Sequence, residues 1–274
     1  MRYRVASRDM GTFLLLLLLL ALTFYPFFFM IMTAFKDNAQ FTYEFWWFAL
    51  PMHWDYLTGA FGDMWRYIVN SGIVAVATIV GVLATSTLAA YAFARFAFWG
   101  RQFWYYSIIV MMMVPGILTL VPSFVLARNL GLLNSLWGLI LPYIATGEVL
   151  GIFILRAFFA GLPNELFEAA RMDGASHLQA FGRIALPLTK PILGTIAIVN
   201  LIGVWNDYVW PLLVIGDDSL KTLTLGLTFY STRHTTAWGP LMSGYTVGTL
   251  PLLLVFLVSV RYFIQGLTAG ALKL

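Results

Sequence analysis

Long stretches without a charged residue limit what this chain can fold into more than any other feature. Residues 191–216 contain one charge, Asp207, and five further stretches contain none: 10–35, 67–94, 102–127, 129–147 and 234–260. A helix that crosses a bilayer needs roughly 20 mostly apolar residues, and backbone groups in lipid must bond within the chain. The sequence therefore predicts an all-α, polytopic membrane protein with six transmembrane helices, at about residues 13–34, 68–92, 103–126, 135–155, 191–213 and 239–261.

The composition excludes several other classes of protein. The 16 basic and 12 acidic residues make up 10% of the chain, whereas a typical soluble domain has roughly 25%. Soluble globular folds, disorder and nucleic-acid binding are thereby excluded. Cysteine is absent, and the three histidines lack metal-ligand spacing, so we expect no metal site. Since no internal repeat or linker is evident, we expect one transmembrane domain over residues 1–274.

The distribution of Lys and Arg predicts the orientation of the chain, because cytoplasmic segments carry an excess of both. An inside N-terminus places eleven basic residues in the cytoplasm: Arg2, Arg4, Arg8, Arg95, Arg101, Arg156, Arg171, Arg183, Lys190, Arg261 and Lys273. It places five outside: Lys36, Arg66, Arg128, Lys221 and Arg233. We therefore expect both termini in the cytoplasm.

Four tryptophans crowd the first outer loop, namely Trp46, Trp47, Trp54 and Trp65. Aromatic residues of this kind commonly form a belt at the membrane surface. They would equally suit a docking surface for a partner outside the membrane. The sequence leaves both interpretations open.

The longest cytoplasmic segment, residues 156–190, is patterned rather than irregular. Asn164 suits the N-cap of a short helix, and Gly174 suits the position just beyond its end. Ser176 and Gln179 then match a capping box that opens a second helix. This second helix is expected to end before Pro187.

The same segment resembles the EAA signature of permease subunits of ATP-binding-cassette importers. The matching positions are Glu168, Ala169, Ala170, Asp173, Gly174, Ile184, Leu186 and Pro187. Further segments resemble the carbohydrate-uptake branch of these permeases, and within it the smaller permease of the maltose type: 35–36, 130–135, 173–176, 205–211 and 265–273. The resemblance extends over essentially the whole chain.

The resemblance implies a function and a set of partners. The chain would form half of a translocation path in a bacterial or archaeal plasma membrane, beside a second permease subunit. Two copies of a cytoplasmic ATPase would dock on the EAA loop, and an extracytoplasmic binding protein would deliver a carbohydrate. Transport would proceed by ATP-driven alternating access, with no catalysis and no cofactor on this chain. The chain has no Gly-Lys pair and so no phosphate-binding loop of that type, which places ATP and Mg²⁺ on the ATPase.

Polar residues within the predicted spans are candidates for the translocation path, because polar groups are costly in lipid. Asn200, Asn206 and Asp207 lie in the fifth span, and the seven-residue spacing of Asn200 and Asp207 predicts one helix face. Interhelical hydrogen bonding would explain Asn200 equally well, whereas for Asn206 and Asp207 the family resemblance implies a structural or gating role. For Glu148 in the fourth span we expect pairing with an arginine of a neighbouring helix.

Two other classes and one other substrate remain as alternatives. A secondary transporter would usually show internal repeats and ionisable residues near the midplane, where only Glu148 qualifies. An intramembrane enzyme would need a catalytic set that the spans lack, since they contain neither histidine nor cysteine. Within the importer class, the resemblance also admits glycerol 3-phosphate or another non-sugar solute.

Overall fold

The protein is helical throughout the part of the chain that the structure describes. The computed structural model describes the backbone of residues 7–271 and the side chains of residues 10–257. No β-strand occurs in that part. The helices are α1 (Ser7–Thr33), α2 (Asn38–Tyr43), α3 (Trp54–Arg95), α4 (Arg101–Met111), α5 (Gly116–Asn129), α6 (Trp137–Ala160), α7 (Asn164–Met172), α8 (His177–Ala180), α9 (Leu186–Asn206), α10 (Val209–Val214), α11 (Leu223–Arg233) and α12 (Trp238–Ala271).

Five helical segments within the described residues are long and apolar enough to cross a membrane. They are Met10–Thr33, Trp54–Arg95, Trp137–Ala160, His177–Asn206 and Trp238–Leu257. A sixth span results if the bent pair α4 and α5 crosses as one unit. The prediction of a polytopic, all-α membrane protein is therefore confirmed. The orientation stays a prediction, and it rests partly on Arg2, Arg4 and Lys273, which lie outside the described residues.

The third predicted span, 103–126, is not one straight helix. Helices α4 and α5 are bent by 101° at residues 112–115. The N–H groups of Met112 and Met113 donate to carbonyls only three residues back, so the α-helical ladder tightens as it ends. Pro115 has no N–H to continue the ladder, and proline disfavours a helical conformation in the residue before it. The prediction considered only the absence of charge and overlooked this proline.

The fifth predicted span, 191–213, is likewise broken. Helix α9 ends at Asn206, and Asp207 has an extended backbone with φ −70° and ψ 128°. The Asp207 carboxylate accepts a hydrogen bond from the N–H of Val209 at 3.0 Å, in the first turn of α10. Aspartate side chains compete with the helix for backbone donors in this way, and they favour a new helix start. Asn200 and Asp207 therefore do not share one helix, and their predicted common face was wrong.

By its internal contacts the chain divides into two compact units, one formed by residues up to 65 and 227–251, the other by 66–226 and 252 onward. The prediction of one domain over residues 1–274 stays a prediction.

In the first unit, Lys36 is completely buried. Its ammonium group donates to the carbonyls of Glu44 and Phe45 at 2.6 and 3.1 Å. Burial lowers the pKa of Lys36, and the nearby Glu44 carboxylate offsets part of that effect.

Lys36 should contribute measurably to stability through these two bonds. We expect Lys36→Ala to destabilise the protein by about 1.5–3 kcal/mol, because two carbonyls lose a charged donor in a buried place. The midpoint of thermal unfolding in detergent measures the effect. Lys190→Ala is the control, since Lys190 is exposed and makes no hydrogen bond within the described residues. Equal shifts for the two variants would contradict this role of Lys36.

Candidate functional site

Helix α7 carries the first part of the EAA motif and is tied to the end of α3. The N-cap residue is Pro163, so Asn164 begins the helix rather than capping it, contrary to the prediction. The Asn164 side chain accepts a hydrogen bond from Arg95 Nη1 at 2.6 Å. Arg95 Nη2 donates to the carbonyl of Leu162 at 2.7 Å. One guanidinium group therefore fixes the start of α7 to a membrane-spanning helix.

The C-terminal end of α7 is closed as the sequence predicts. Gly174 has φ +78°, a left-handed conformation that favours glycine. Its N–H donates to the carbonyl of Arg171 at 2.9 Å, and the N–H of Ala175 donates to Ala170 at 2.9 Å. These two bonds form a Schellman motif, which satisfies carbonyls that the helix end leaves free. The chain consequently reverses direction within three residues.

The second helix of the loop begins as predicted but does not end where expected. The capping box is present, since the Gln179 N–H donates to Ser176 Oγ and the Ser176 N–H donates to Gln179 Oε1. A π-helical turn, Phe181–Ala185, then joins α8 to α9, and the Leu186 N–H donates to the carbonyl five residues back. The wider turn lets the helix continue past Pro187, which has no N–H to donate. The expected stop before Pro187 was wrong.

An aromatic core lies beneath α7. The Phe167 side chain is 6% exposed and belongs to one cluster with residues from three spans. Its ring lies 6.3 Å from that of Tyr91, between centroids, and the Arg95 guanidinium lies 4.1 Å above it. The cluster contains Val82, Ala90, Tyr91, Leu155, Phe159, Phe167, Ala180, Phe181, Ala185 and Ile196. Helix α7 therefore contacts α3 directly through Phe167, and it shares one core with α6 and the α8–α9 segment.

The eight predicted coupling residues fall into an exposed group and a packing group. Four are exposed on α7 and the turn after it: Glu168, Ala169, Asp173 and Gly174. Ala170 is half-buried, and Pro187 is exposed in the first turn of α9. Ile184 and Leu186 pack against the aromatic core instead. The structure thus exposes four of the first five positions on α7 and the turn after it, and it packs Ile184 and Leu186 against the core.

Large apolar side chains surround this surface. Met172 is 88% exposed, Leu178 is 72% exposed and Leu166 is 43% exposed. Apolar side chains exposed outside a membrane span are common at protein–protein interfaces. Together with Glu168 and Ala169 they form an exposed face of mixed apolar and acidic character.

Sequence reasoning missed Arg95 and Phe167 as parts of this site. Arg95 is 69 residues from Asn164 along the chain, and only the fold brings the two together. Phe167 could have been found, because it is the one aromatic residue in a short helix that is otherwise largely polar or small. A helix at a membrane surface needs one apolar anchor, and this position supplies it.

The predicted path residues occupy three different environments. Asn200 is half-buried, donates to its own helix at Ile196, and lies against Gly147 of α6. Asn206 is exposed at the end of α9 and donates to the carbonyl of Ile202 at 2.9 Å. Asp207 is half-buried and accepts a hydrogen bond from the Tyr143 hydroxyl at 2.8 Å. Asn206 alone presents its side chain to an open surface.

Glu148 does not pair as expected. It is half-buried within α6, and within the described residues it makes no ion pair with an arginine. Likewise, no group of three or more His, Asp or Glu side chains that could hold a metal ion occurs in the described part of the chain.

Hydrogen bonds join the turn at Asn134 to the segment that follows α10. Asn134 Oδ1 accepts hydrogen bonds from the N–H groups of Gly216 and Asp217. The Asp217 carboxylate accepts from the Ser219 N–H, and this hydrogen bond lowers the pKa of Asp217. In the first unit, Trp46 and Trp47 are well exposed, which suits either interpretation of the tryptophan-rich loop.

Phe167 should be the main anchor of α7. We expect Phe167→Ala to destabilise the protein by about 3–5 kcal/mol, because it removes a ring from the centre of a packed cluster. Leu166→Ala is the matched control, since the side chain of Leu166, which precedes Phe167 in the sequence, is 43% exposed. Thermal unfolding and protease sensitivity of the 161–176 segment measure both. If Leu166→Ala cost as much as Phe167→Ala, the anchoring role would be wrong.

Comparison with known proteins identifies relatives over most of the chain. "Probable ABC transporter permease protein YurM" of Bacillus subtilis is 33% identical over 252 residues, which is 91% of this chain and 83% of that protein. "Diacetylchitobiose uptake system permease protein NgcG" of Streptomyces coelicolor is 32% identical over 267 residues, covering 94% of this chain and 87% of that protein.

The fold is also that of a solved transporter. A chain from the crystal structure of a bacterial ABC transporter involved in the import of the acidic polysaccharide alginate matches with a TM-score of 0.80 and 21% sequence identity. The match covers 96% of this chain and 99% of that chain. The family model described as "Binding-protein-dependent transport system inner membrane component" matches residues 77–269. The protein therefore belongs to the family of inner-membrane components of binding-protein-dependent transport systems.

Proposed function

We propose that this chain is the permease subunit of an ATP-binding-cassette importer and forms half of a translocation path for a carbohydrate. The observation that carries the proposal is the arrangement of exposed and buried side chains on α7. Glu168 and Ala169 of the motif are exposed, and Phe167 on the buried side belongs to a cluster with residues of three membrane spans. A surface helix built in this way can receive a force from outside the membrane and pass it inward.

The ATPase partner would dock on the exposed side of α7. Glu168 offers a carboxylate, and Ala169 is small enough for close approach of another backbone. The chain has no Gly-Lys pair, so the nucleotide and Mg²⁺ belong to the separate ATPase, of which we expect two copies. This chain then needs neither a cofactor nor a catalytic residue of its own.

Coupling would proceed through the packed core. ATP-driven closure of the ATPase pair moves α7, and Phe167 and Arg95 pass that movement to α3. The continuous segment from α8 to α9 passes it to a further span. Because packed cores are poorly compressible, such elements move as rigid bodies, which is what alternating access requires.

The other partners follow from the same scheme. Five to six spans with a single docking helix supply one side of a path, so a second permease subunit supplies the other. A binding protein outside the membrane delivers the solute, in keeping with the family to which the chain belongs. With both termini in the cytoplasm, as the eleven-to-five distribution of basic residues predicts, α7 faces the ATPase.

Among the three path candidates, Asn206 is best placed to contact a solute, because its side chain is exposed at the end of α9. Asn200 lies against Gly147, which supports a role in helix packing. Asp207 caps α10 and binds Tyr143, which supports a role in shaping the outer end of the path.

The relatives include permeases of both carbohydrate and sn-glycerol-3-phosphate systems, and a carbohydrate is our first candidate. The similar protein of Streptomyces is named as part of a diacetylchitobiose uptake system. Glycerol 3-phosphate is the second candidate, since the sequence resembles a branch that also handles this solute. A secondary transporter is disfavoured by membership of a family of binding-protein-dependent systems.

Two substitutions test the docking role of α7. Glu168→Lys reverses the exposed charge, and Gly174→Pro imposes a φ near −65° where the backbone has +78°. We expect each to abolish substrate-stimulated ATPase activity in the reconstituted complex while membrane insertion is retained.

Controls for these variants lie in the same segment. Glu165→Lys makes the same charge change in the first turn of α7, outside the motif, and Gly174→Ala costs only about 1–2 kcal/mol. Both should retain most of the activity. Full transport by Glu168→Lys and Gly174→Pro would refute the docking role.

The substrate class can be tested on the complete importer in liposomes. We expect monosaccharides or oligosaccharides, presented with the cognate binding protein, to stimulate ATP hydrolysis several-fold. Glycerol 3-phosphate is the comparison solute in the same panel. Stimulation by that solute alone would replace the carbohydrate proposal, and uptake driven by an ion gradient without ATP would indicate a secondary transporter.

A further inference from the structure

A cleft separates the end of α3 from α7 and α8. Its volume is about 240 Å³, and it is lined by Tyr91, Ala94, Arg95, Asn164, Phe167, Glu168, Arg171 and His177. It opens beside Glu168, the acidic position of the EAA motif. The cleft therefore adjoins the surface on which we place the ATPase, but its other lining residues are not part of the motif.

The cleft is lined by side chains of both charges, and only some of them have partners. Arg95 is a structural anchor, because both terminal nitrogens donate hydrogen bonds and the guanidinium stacks on Phe167, although its buried Nε has no hydrogen-bond partner. The His177 ring packs edge-on against Phe96, 4.9 Å between centroids. The Arg171 side chain makes no hydrogen bond or ion pair within the described residues, and the Glu168 carboxylate, one turn before it, is not paired with it. One cation and one carboxylate thus stand side by side without partners.

The position of Arg171 has an ordinary structural explanation, but that explanation does not account for the cleft or for Glu168. Arg171 lies in the last turn of α7, where a positive charge stabilises the helix dipole. That effect does not require the guanidinium to line a cleft, and it leaves Glu168 unexplained. A guanidinium presents a planar set of donors that fits a carboxylate with two parallel hydrogen bonds.

We propose that this cleft receives an acidic side chain of the docked ATPase, with Arg171 as the residue that binds its carboxylate. Glu168 then pairs with a basic side chain of the same ATPase, so that the two contacts form a reciprocal charge pair. The inference rests on the proposed function and specifies the chemistry of its docking surface. It adds Arg171 to the coupling site and assigns Arg95 to its support.

The charge pattern favours a protein partner over other anions. A nucleotide or a phospholipid headgroup supplies only negative charge at its phosphate, which could pair with Arg171 but would leave Glu168 without a counter-charge. A surface that offers a cation and an anion one helical turn apart is complemented by another surface with both charges, which specifies register as well as affinity. The cleft is also small, and a carboxylate side chain requires only a part of its volume.

The test measures ATPase binding to the purified permease complex in detergent at several ionic strengths. We expect Arg171→Ala to weaken binding roughly fivefold to thirtyfold, and Arg171→Glu to weaken it more, with a flatter salt dependence for both. Arg183→Glu is the matched control, since Arg183 is an exposed arginine of the same loop that does not line the cleft. It should bind as the unmodified protein does.

A charge-reversal screen identifies the partner residue. In the Arg171→Glu background, acidic residues on the ATPase surface are replaced by arginine one at a time, and restored affinity in one of them supports the proposal. Unchanged affinity in Arg171→Ala and Arg171→Glu overturns it.

Two further comparisons distinguish a failure of the inference about the cleft from a failure of the docking role of α7. If Glu168→Lys weakens binding and Arg171→Glu does not, the docking role of α7 stands and the inference about the cleft falls. If neither variant changes binding, the docking role fails as well.

Nanodiscs of phosphatidylcholine with and without phosphatidylglycerol test the lipid alternative. A loss of anionic-lipid dependence in Arg171→Ala, with ATPase affinity unchanged, would assign the cleft to a headgroup instead.

Discussion

Backbone groups that enter a lipid bilayer must find their hydrogen-bond partners inside the chain, and the rest of this structure depends on that constraint. It produces long apolar helices, and it determines where they can stop. The α4–α5 bend occurs at Pro115, which cannot donate a bond. The break after Asn206 is repaired locally, because the Asp207 carboxylate receives the N–H of Val209. Each interruption is therefore marked by a residue that either lacks a donor or supplies a replacement acceptor.

The same constraint explains why the polar motif lies on a short surface helix. Helix α7 satisfies its own ends through the Schellman bonds around Gly174 and the contacts of Asn164 with Arg95. It then needs only one apolar residue, Phe167, to attach it to the spans. Residues such as Glu168, Ala169 and Met172 remain exposed on the same nine-residue helix.

The separation of a buried side and an exposed side on α7 connects the fold to transport. A permease has no energy source of its own, and movement must reach its path from a separate motor. A rigid aromatic core that joins α3, α6 and α9 beneath α7 is suited to that transmission. Ile184 and Leu186, which match positions of the EAA signature, pack against this core, so part of that pattern coincides with packing residues.

The sequence by itself determined the membrane class, the approximate spans and the position of the short helix α7. These follow from local properties, namely the absence of charge, helix caps and the left-handed preference of Gly174. The bend at residues 112–115 and the break at Asp207 were within reach of the sequence, since Pro115 and an aspartate in a span are visible there.

Only the tertiary structure decided which distant residues meet. Arg95 and Asn164 are 69 residues apart, and Tyr143 and Asp207 are 64 apart. Neither pair has a local pattern, because such contacts depend on how helices pack rather than on spacing within one helix. The fold likewise decided that Arg171 lines a cleft while Arg183 does not, since side chains in one loop are sorted by the core beneath them.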